Sequence, residues 1–240
     1  MTFVTRNTIL AQLEPAVVLR AAGRIQKTTL RRGAVLQELG NEVQWVWFPE
    51  DSLICVASEN ASGESVSGGM IGWNGAYGAF EACGSRTSFG RAHVQISGAA
   101  HKIRADHYRE LFDHSSALRN AIHRHVEALL VESRQLVACT ALHTVESRMC
   151  RALLDASERS HGGPVLSLTQ ETLAQILGVQ RTTIAVTAST LQKNGLIKTG
   201  RGSIELLDTR KLEATACACR GTIAYATSQI YSSGEKVCEA

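Results

Sequence analysis

No glycine lies between Gly98 and Gly162 in a chain that uses the residue freely on either side. That gap constrains the fold most. Glycine supplies the positive-φ turns that short strands need, and its loss signals long helix. From Thr28 to about Ile103 the apolar runs are short and bounded by Gly, Ser, Asn and Asp, as in VQWVWFP, SLICVAS, GRAHVQISG and AHKIRA. These read as the strands of an antiparallel sandwich or roll. Ahead of them, ILAQLEPAVVLRAAGRI has helical spacing interrupted at Pro15. Ile9, Leu10, Leu13, Val17 and Leu19 are expected on the buried side of its short helices.

From Ala105 onward the chain reads as long helix. Ile122, Leu129 and Leu136 recur every seven residues, Val126 falls between the first two, and Leu118 extends the line backwards. A seam that repeats every seven residues wants a partner helix, so these five are expected to form a homodimer seam. Leu130 and Val137 make a second stripe, expected to face the sheet domain. A polar break is expected near Leu142 to Val145. DASERSHGGP, from Asp155 to Pro164, reads as a loop.

Leu168 to Asp208 carries the function. Thr169 suits the N-cap of a helix over Gln170–Leu177, with Glu171 favoured by the dipole of its first turn. Gly178 permits a left-handed turn, and a second helix follows from Arg181 to Lys193. Ile184, Ala188 and Leu191 form its inward face. Gln180, Arg181, Thr182, Thr183, Val186, Thr187 and Thr190 are left for another surface. A hydroxyl-rich helix led by arginine is poor core material but suits a DNA groove. Thr and Gln bond phosphates or base edges, and Arg grips guanine with two hydrogen bonds. Asn194-Gly195 closes the helix. LIKTGRGSIELLD then reads as a hairpin turning at Gly200–Gly202 and returning through Ile204, Leu206 and Leu207. Lys198 and Arg201 on it would reach phosphates. Helix, tight turn, helix and basic wing make a winged helix-turn-helix. Beyond it, TRKLEATACACRGTIAYATSQIY reads as a helix interrupted at Gly221, and SSGEKVCEA as a loose tail.

The chain resembles the Crp/Fnr family of bacterial regulators. LTQETLAQILGVQRTTIA is similar to that family's helix-turn-helix signature and GLIKTGRGSIELLD to its wing. LRRGAVLQELGNEVQWVWFPEDSLICV resembles the first strands of its cyclic-nucleotide-binding-like roll, and MIGWNGAYGAF the segment before its ligand cassette. The resemblance implies an α+β chain in four parts. Residues 1–110 form an antiparallel β-roll sensor and 111–142 the dimerisation helix. Residues 143–208 form the winged helix-turn-helix, and 209–240 a C-terminal helix and tail. It further implies a homodimeric, sequence-specific transcription regulator whose roll modulates DNA affinity. Its partners would be double-stranded DNA with an inverted repeat and RNA polymerase.

Departures from the family pattern matter. Thr182 stands where the best-studied recognition pattern has Glu, and Val186 where it has a second Arg. Arg181 is left as the guanine contact, with Thr182 and Val186 open to thymine methyls. Cyclic-nucleotide binders carry a Glu for the ribose and an Arg-Ser pair for the phosphate. Here Ala76 takes the first place, and Ser88 and Phe89 take the others, with Arg86 and Arg91 nearby. A buried phosphate without a paired cation is costly, so cyclic AMP is not expected. The family's oxygen-sensing branch holds an iron–sulfur cluster on cysteines near the N-terminus. No cysteine precedes Cys55 here, so no cluster is expected either.

Other classes fare worse. Net charge is only +3, from 25 Lys+Arg against 22 Asp+Glu, which neither argues for nor excludes nucleic acid. No apolar run is long enough for a membrane span, and no signal-peptide pattern opens the chain, so the cytoplasm is expected. Seven scattered cysteines fit reduced thiols. Cys217, Cys219 and Cys238 could hold metal, but Cys-x-Cys on a helix splays its side chains, so free packing thiols and no metal site are expected. His125 is expected in solvent, with the dimer seam as its other placement. The histidines lack the spacing of a metalloenzyme roll, and no nucleophile–base pattern occurs, so no enzyme is expected. The competing reading is a ligand- or metal-binding roll without specific DNA binding.

Overall fold

The computed structural model describes residues 4–21 and 23–232. Helices α1 (Thr8–Ala11) and α2 (Pro15–Arg20) come first, divided at the proline. Asn7 caps α1 through its Oδ1, while its Nδ2 donates to the carbonyls of Pro49 and Gly75 at 2.9 and 2.8 Å. Ile9, Leu10, Leu13 and Val17 are buried as expected, but Leu19 is exposed. The break at the proline turns α2, so Leu19 no longer shares a face with α1.

Seven strands follow: β1 (Gln26–Leu30), β2 (Val35–Gln37), β3 (Trp45–Pro49), β4 (Leu53–Glu59), β5 (Ser65–Ile71), β6 (Arg91–Ile96) and β7 (Gly98–Arg104). They form two antiparallel sheets, ordered β1-β7-β3 and β2-β6-β4-β5. Leu30, Trp47, Ile54, Tyr77, Val94 and Ala100 fill the space within the roll.

Helix α3 (Ala105–His114) ends at Ser115, whose hydroxyl caps α4 (Ser116–Leu142) by accepting from Leu118 N. The expected division at residue 111 therefore falls inside a helix. The next break is at His143–Thr144, inside the expected window, and Thr144 caps α5 (Val145–Arg159). β8 (Val165–Leu166), α6 (Gln170–Leu177), α7 (Arg181–Lys193), β9 (Ile197–Gly200) and β10 (Ser203–Leu206) form the winged unit. α8 (Thr209–Thr215) and α9 (Cys219–Ser232) follow. The expected interruption at Gly221 lies inside α9. The break falls instead at Ala216–Ala218, which puts Cys217 outside both helices. The expected tail from Ser233 on, with Cys238, lies outside the described residues.

Helix α4 overturns part of the seam. Leu118 and Ile122 are 1% and 2% exposed and sit in the core that α1, α3 and the roll build together. Val126 packs against the same core. Leu129 and Leu136 are half-buried, because α9 runs along α4. The stripe expected against the sheet is the open one: Leu130 is 52% and Val137 73% exposed. Both stripes are apolar, and the subunit's own core took the first.

His125 lies on the buried side as well. Its Nε2 is 3.1 Å from both N and O of Ala76, and its ring leaves no room for a side chain at Gly75. Burial pushes its pKa down to about 4. Neither solvent nor a dimer seam receives it.

Candidate nucleic-acid interface

Thr169 Oγ1 accepts from Thr172 N and so starts α6. Gly178 ends it at φ 61 and ψ 43, the left-handed conformation that the turn requires. Gln180 N-caps α7. Ile184, Ala188 and Leu191 are buried against α6 and α5, with Leu173, Leu177 and Leu153 in the same cluster. The inward face is thus as expected.

The opposite face of α7 is open. Gln180, Arg181, Thr182, Thr183, Val186 and Thr190 are exposed, and Thr187 is half-buried. Thr187 and Thr190 donate their hydroxyl protons to the carbonyls of Thr183 and Val186, which leaves oxygen lone pairs outward. Among the described residues Arg181 makes no ion pair or hydrogen bond, so its guanidinium is available. Thr169 is half-buried at the start of α6.

The wing is a two-strand hairpin extended by β8, in the order β8-β10-β9. Gly202 turns it at φ 77. Lys198 and Arg201 are exposed on it. Leu207 lies past β10 and is exposed, so the return strand is one residue shorter than expected. Sequence reasoning missed Gln192. Its Oε1 accepts from Thr199 N and Oγ1 at 2.9 and 2.8 Å, which fixes the wing to the last turn of α7. The two groups are seven residues apart, a pairing that no local pattern advertises.

A helix pair at a glycine turn, an outer face of arginine and threonines, and a basic hairpin beside it are now in place. The model of the Crp-like helix-turn-helix domain matches residues 147–215, which takes in all of them. The chain carries a Crp-like helix-turn-helix domain. The transcriptional regulator SdrP of Thermus thermophilus is 29% identical to it over 138 residues, which is 55% of this chain and 67% of that one. Two solved structures share the fold. FixK2 of Bradyrhizobium japonicum has a TM-score of 0.68 at 13% identity and covers 81% of this chain and 98% of its own. A Crp/Fnr-family transcriptional regulator of Thermus thermophilus has a TM-score of 0.65 at 20% identity, covering 80% and 98%. SdrP and the Thermus thermophilus structure are both described as transcriptional regulators. No helix among the described residues is long and apolar enough to cross a membrane.

The winged unit is docked on the roll at several points. Arg32 Nη1 donates to Gly202 O at 3.0 Å, from the β1–β2 loop to the wing tip. A side chain at Gly178 would touch Val66 of β5. Gly72 passes so close to Arg159 O that a Cβ would overlap it, and Trp73 Nε1 donates to Glu158 O at 2.8 Å. Arg159 pairs with Glu132 of α4 at 2.9 Å and donates to Met70 O, so one guanidinium joins α5, α4 and the roll. The start of α7 also shares a groove with the β4–β5 hairpin. Glu59 and Glu64 line it on one side, and Gln180 and Arg181 on the other.

In the cassette region Ala76 and Ser88 are buried and Phe89 is exposed. The Ser88 hydroxyl is 2.9 Å from Tyr77 Oη and donates to Gly90 O at 2.8 Å. Burial pushes the Tyr77 phenol up to about 12. Arg91 pairs with Glu38 at 2.9 Å on the outside of the roll, and Arg86 holds a positive φ in a turn.

Proposed function

We propose that this regulator acts in the cytoplasm as a homodimer that sets two copies of α7 into successive major grooves of an inverted repeat. The outer face of α7 carries the reading. Arg181 is exposed and, among the described residues, unpaired, and the threonines around it offer the short polar contacts that base edges and phosphates accept. Gln180, Thr182, Thr183, Val186, Thr187 and Thr190 would flank it, with Thr169 at the neighbouring helix start and Lys198 and Arg201 on phosphates. RNA polymerase would be the partner of the bound dimer. The two-fold contact would run through Leu130 and Val137, the open apolar pair one heptad apart on α4.

The roll would control affinity through docking. Glu59 and Glu64 place negative charge in the groove that Arg181 shares, where a DNA phosphate would otherwise come. Docked, the winged unit opposes DNA, and movement of the hairpin away from α7 would favour it. Two conformations with different DNA affinity are required for this. The effector would not be cyclic AMP held in the usual manner, because Ser88 is engaged by Tyr77 and Arg91 by Glu38.

A gel shift on the DNA upstream of the regulator's own gene, at stated salt, tests the assignment. Arg181→Ala is expected to weaken specific binding by about 1–3 kcal/mol, roughly five- to a hundred-and-fiftyfold, and to keep the dimer. Unchanged sequence-specific binding in that variant would count against Arg181.

A further inference from the structure

Four metal-ligating side chains from distant parts of the sequence meet at the hinge between α4 and α5. Cys139 lies in the last turn of α4, and His143 caps that helix one turn later. Cys217 lies in the α8–α9 connection, and Cys219 opens α9. The three sulfurs and one ring nitrogen all lie within 4.8 Å of one another. Cys139 Sγ is 3.4 Å from Cys217 Sγ, and Cys219 Sγ is 3.4 Å from His143 Nδ1. All three cysteines are buried, with His143 at the rim.

We infer that Cys139, His143, Cys217 and Cys219 bind one zinc-class divalent cation, which ties the start of α9 to the end of α4. A tetrahedral zinc ion with sulfurs at about 2.3 Å and nitrogen at about 2.0 Å sets sulfur–sulfur edges of about 3.8 Å and sulfur–nitrogen edges of about 3.5 Å. The Cys139–Cys217 and Cys219–His143 pairs, at 3.4 Å, would open slightly, and the remaining pairs already lie within 4.8 Å. Three sulfurs and an imidazole form a donor set for a structural zinc site. An iron–sulfur cluster would interpose its own iron and sulfide and require the ligands farther apart.

The surroundings fit a thiolate-bound cation. Gln135 Nε2 donates to Cys219 Sγ at 3.1 Å, the kind of outer hydrogen bond that holds a ligand in place. Arg151 is buried against Cys139 and Cys217. Three thiolates around a divalent cation leave one negative charge, and the Arg151 guanidinium, which also pairs with Asp155 at 2.7 Å, places positive charge beside it. The expectation of plain packing thiols rested on Cys217 and Cys219 sharing a helix. Cys217 lies outside it, so the two sulfurs converge instead of splaying. The site sits beside the break at His143–Thr144, and Cys217 N donates to Ser147 O of α5 at 3.3 Å, so the cation would couple the α8–α9 connection to the end of α4 and the start of α5.

The test uses the full untagged chain. Metal content is measured after growth in zinc, and the chelator-stripped protein is titrated with Co2+ while its absorption is followed. One equivalent of metal, with thiolate-to-cobalt charge-transfer bands and the strong visible bands of a tetrahedral ion, is expected. The bands are expected to vanish in Cys217→Ser/Cys219→Ser and to persist in Cys83→Ser and Cys238→Ser. Gln135→Ala is expected to weaken binding roughly ten- to a hundredfold. Because a ligand variant could misfold, the wild-type melting temperature is also followed. It is expected to fall on stripping and to recover with zinc. Wild-type protein that takes up no Co2+ with charge-transfer bands would overturn the inference. So would bands that survive the double variant, or a Cys139–Cys217 disulfide in place of metal.

Discussion

Helices α7 and α4 each carry two faces, and they dispose of them differently. α7 buries a narrow strip of Ile184, Ala188 and Leu191 and leaves arginine and hydroxyls outside. α4 buries Leu118 and Ile122 against the roll, lays another side against α9, and leaves Leu130 and Val137 open. A polar outer face can remain in water until a polar ligand arrives. An apolar outer face has reason to meet another apolar face, since burial of that kind is what water favours. On the proposed reading the first helix is open for DNA and the second for a copy of itself.

The contrast breaks most sharply at the two ends of α4. Leu118→Ala is expected to cost about 2–5 kcal/mol of stability in denaturant unfolding, because it empties a filled core. Val137→Ala is expected to change the unfolding of the isolated subunit by less than about 0.5 kcal/mol. Val137→Glu is expected to yield folded monomers in sedimentation. If Val137→Ala proved the costlier of the two alanine changes in the isolated subunit, the assignment of inner and outer faces would be reversed.

Acid probes the buried side of α4 next. His125 is neutral in the fold and titrates near 4, against about 6.5 when unfolded. The unfolded chain therefore binds more protons between those values. The stabilisation is complete above about pH 6.5 and is lost as pH falls towards 4, by up to about 3 kcal/mol. His93 and His101, also lowered by burial, act in the same direction. Melting temperature is expected to fall with pH across that window and to fall less steeply in His125→Gln. A flat profile in the wild type would show that the ring is not held neutral.

Smaller effects sharpen the account of α7. Glu59→Gln/Glu64→Gln is expected to raise DNA affinity about two- to fivefold at low salt, the scale of an exposed charge contact, with the gain fading as salt rises. No gain at any salt would remove the hairpin from the mechanism. Lys198→Ala is expected to lower the salt slope of binding by about 1, which amounts to roughly three- to fourfold between 50 and 200 mM salt. An unchanged slope would take Lys198 off the phosphates.

Much of the winged unit was legible because its signals are local. Thr169 and its helix, Gly178 and its left-handed turn, and the apolar positions at helical spacing on α7 lie within a few residues of one another. The strands of the roll were marked by their glycines. The Leu118 and Ile122 end of the seam was misread because a heptad line shows which residues share a face and not what covers it. Leu118–Ile122 and Leu130–Val137 were equally eligible, and the roll decided between them. Leu19 was lost to a change of direction at Pro15. The Cys139–His143–Cys217–Cys219 cluster was invisible because it joins pairs 78 and 76 residues apart. It also depends on a helix starting at Cys219 rather than before Cys217. Docking contacts such as Arg32 to Gly202 depend wholly on how distant parts of the chain pack.

Selection of duplexes from a random pool by the full-length chain puts the proposed reading to its most direct test. The selected sequences are expected to share a dyad-symmetric motif whose half-site centres lie about one helical turn apart, near 10 base pairs. No enrichment, or a lone half-site held by a single subunit, would contradict the placement of two copies of α7 in consecutive grooves.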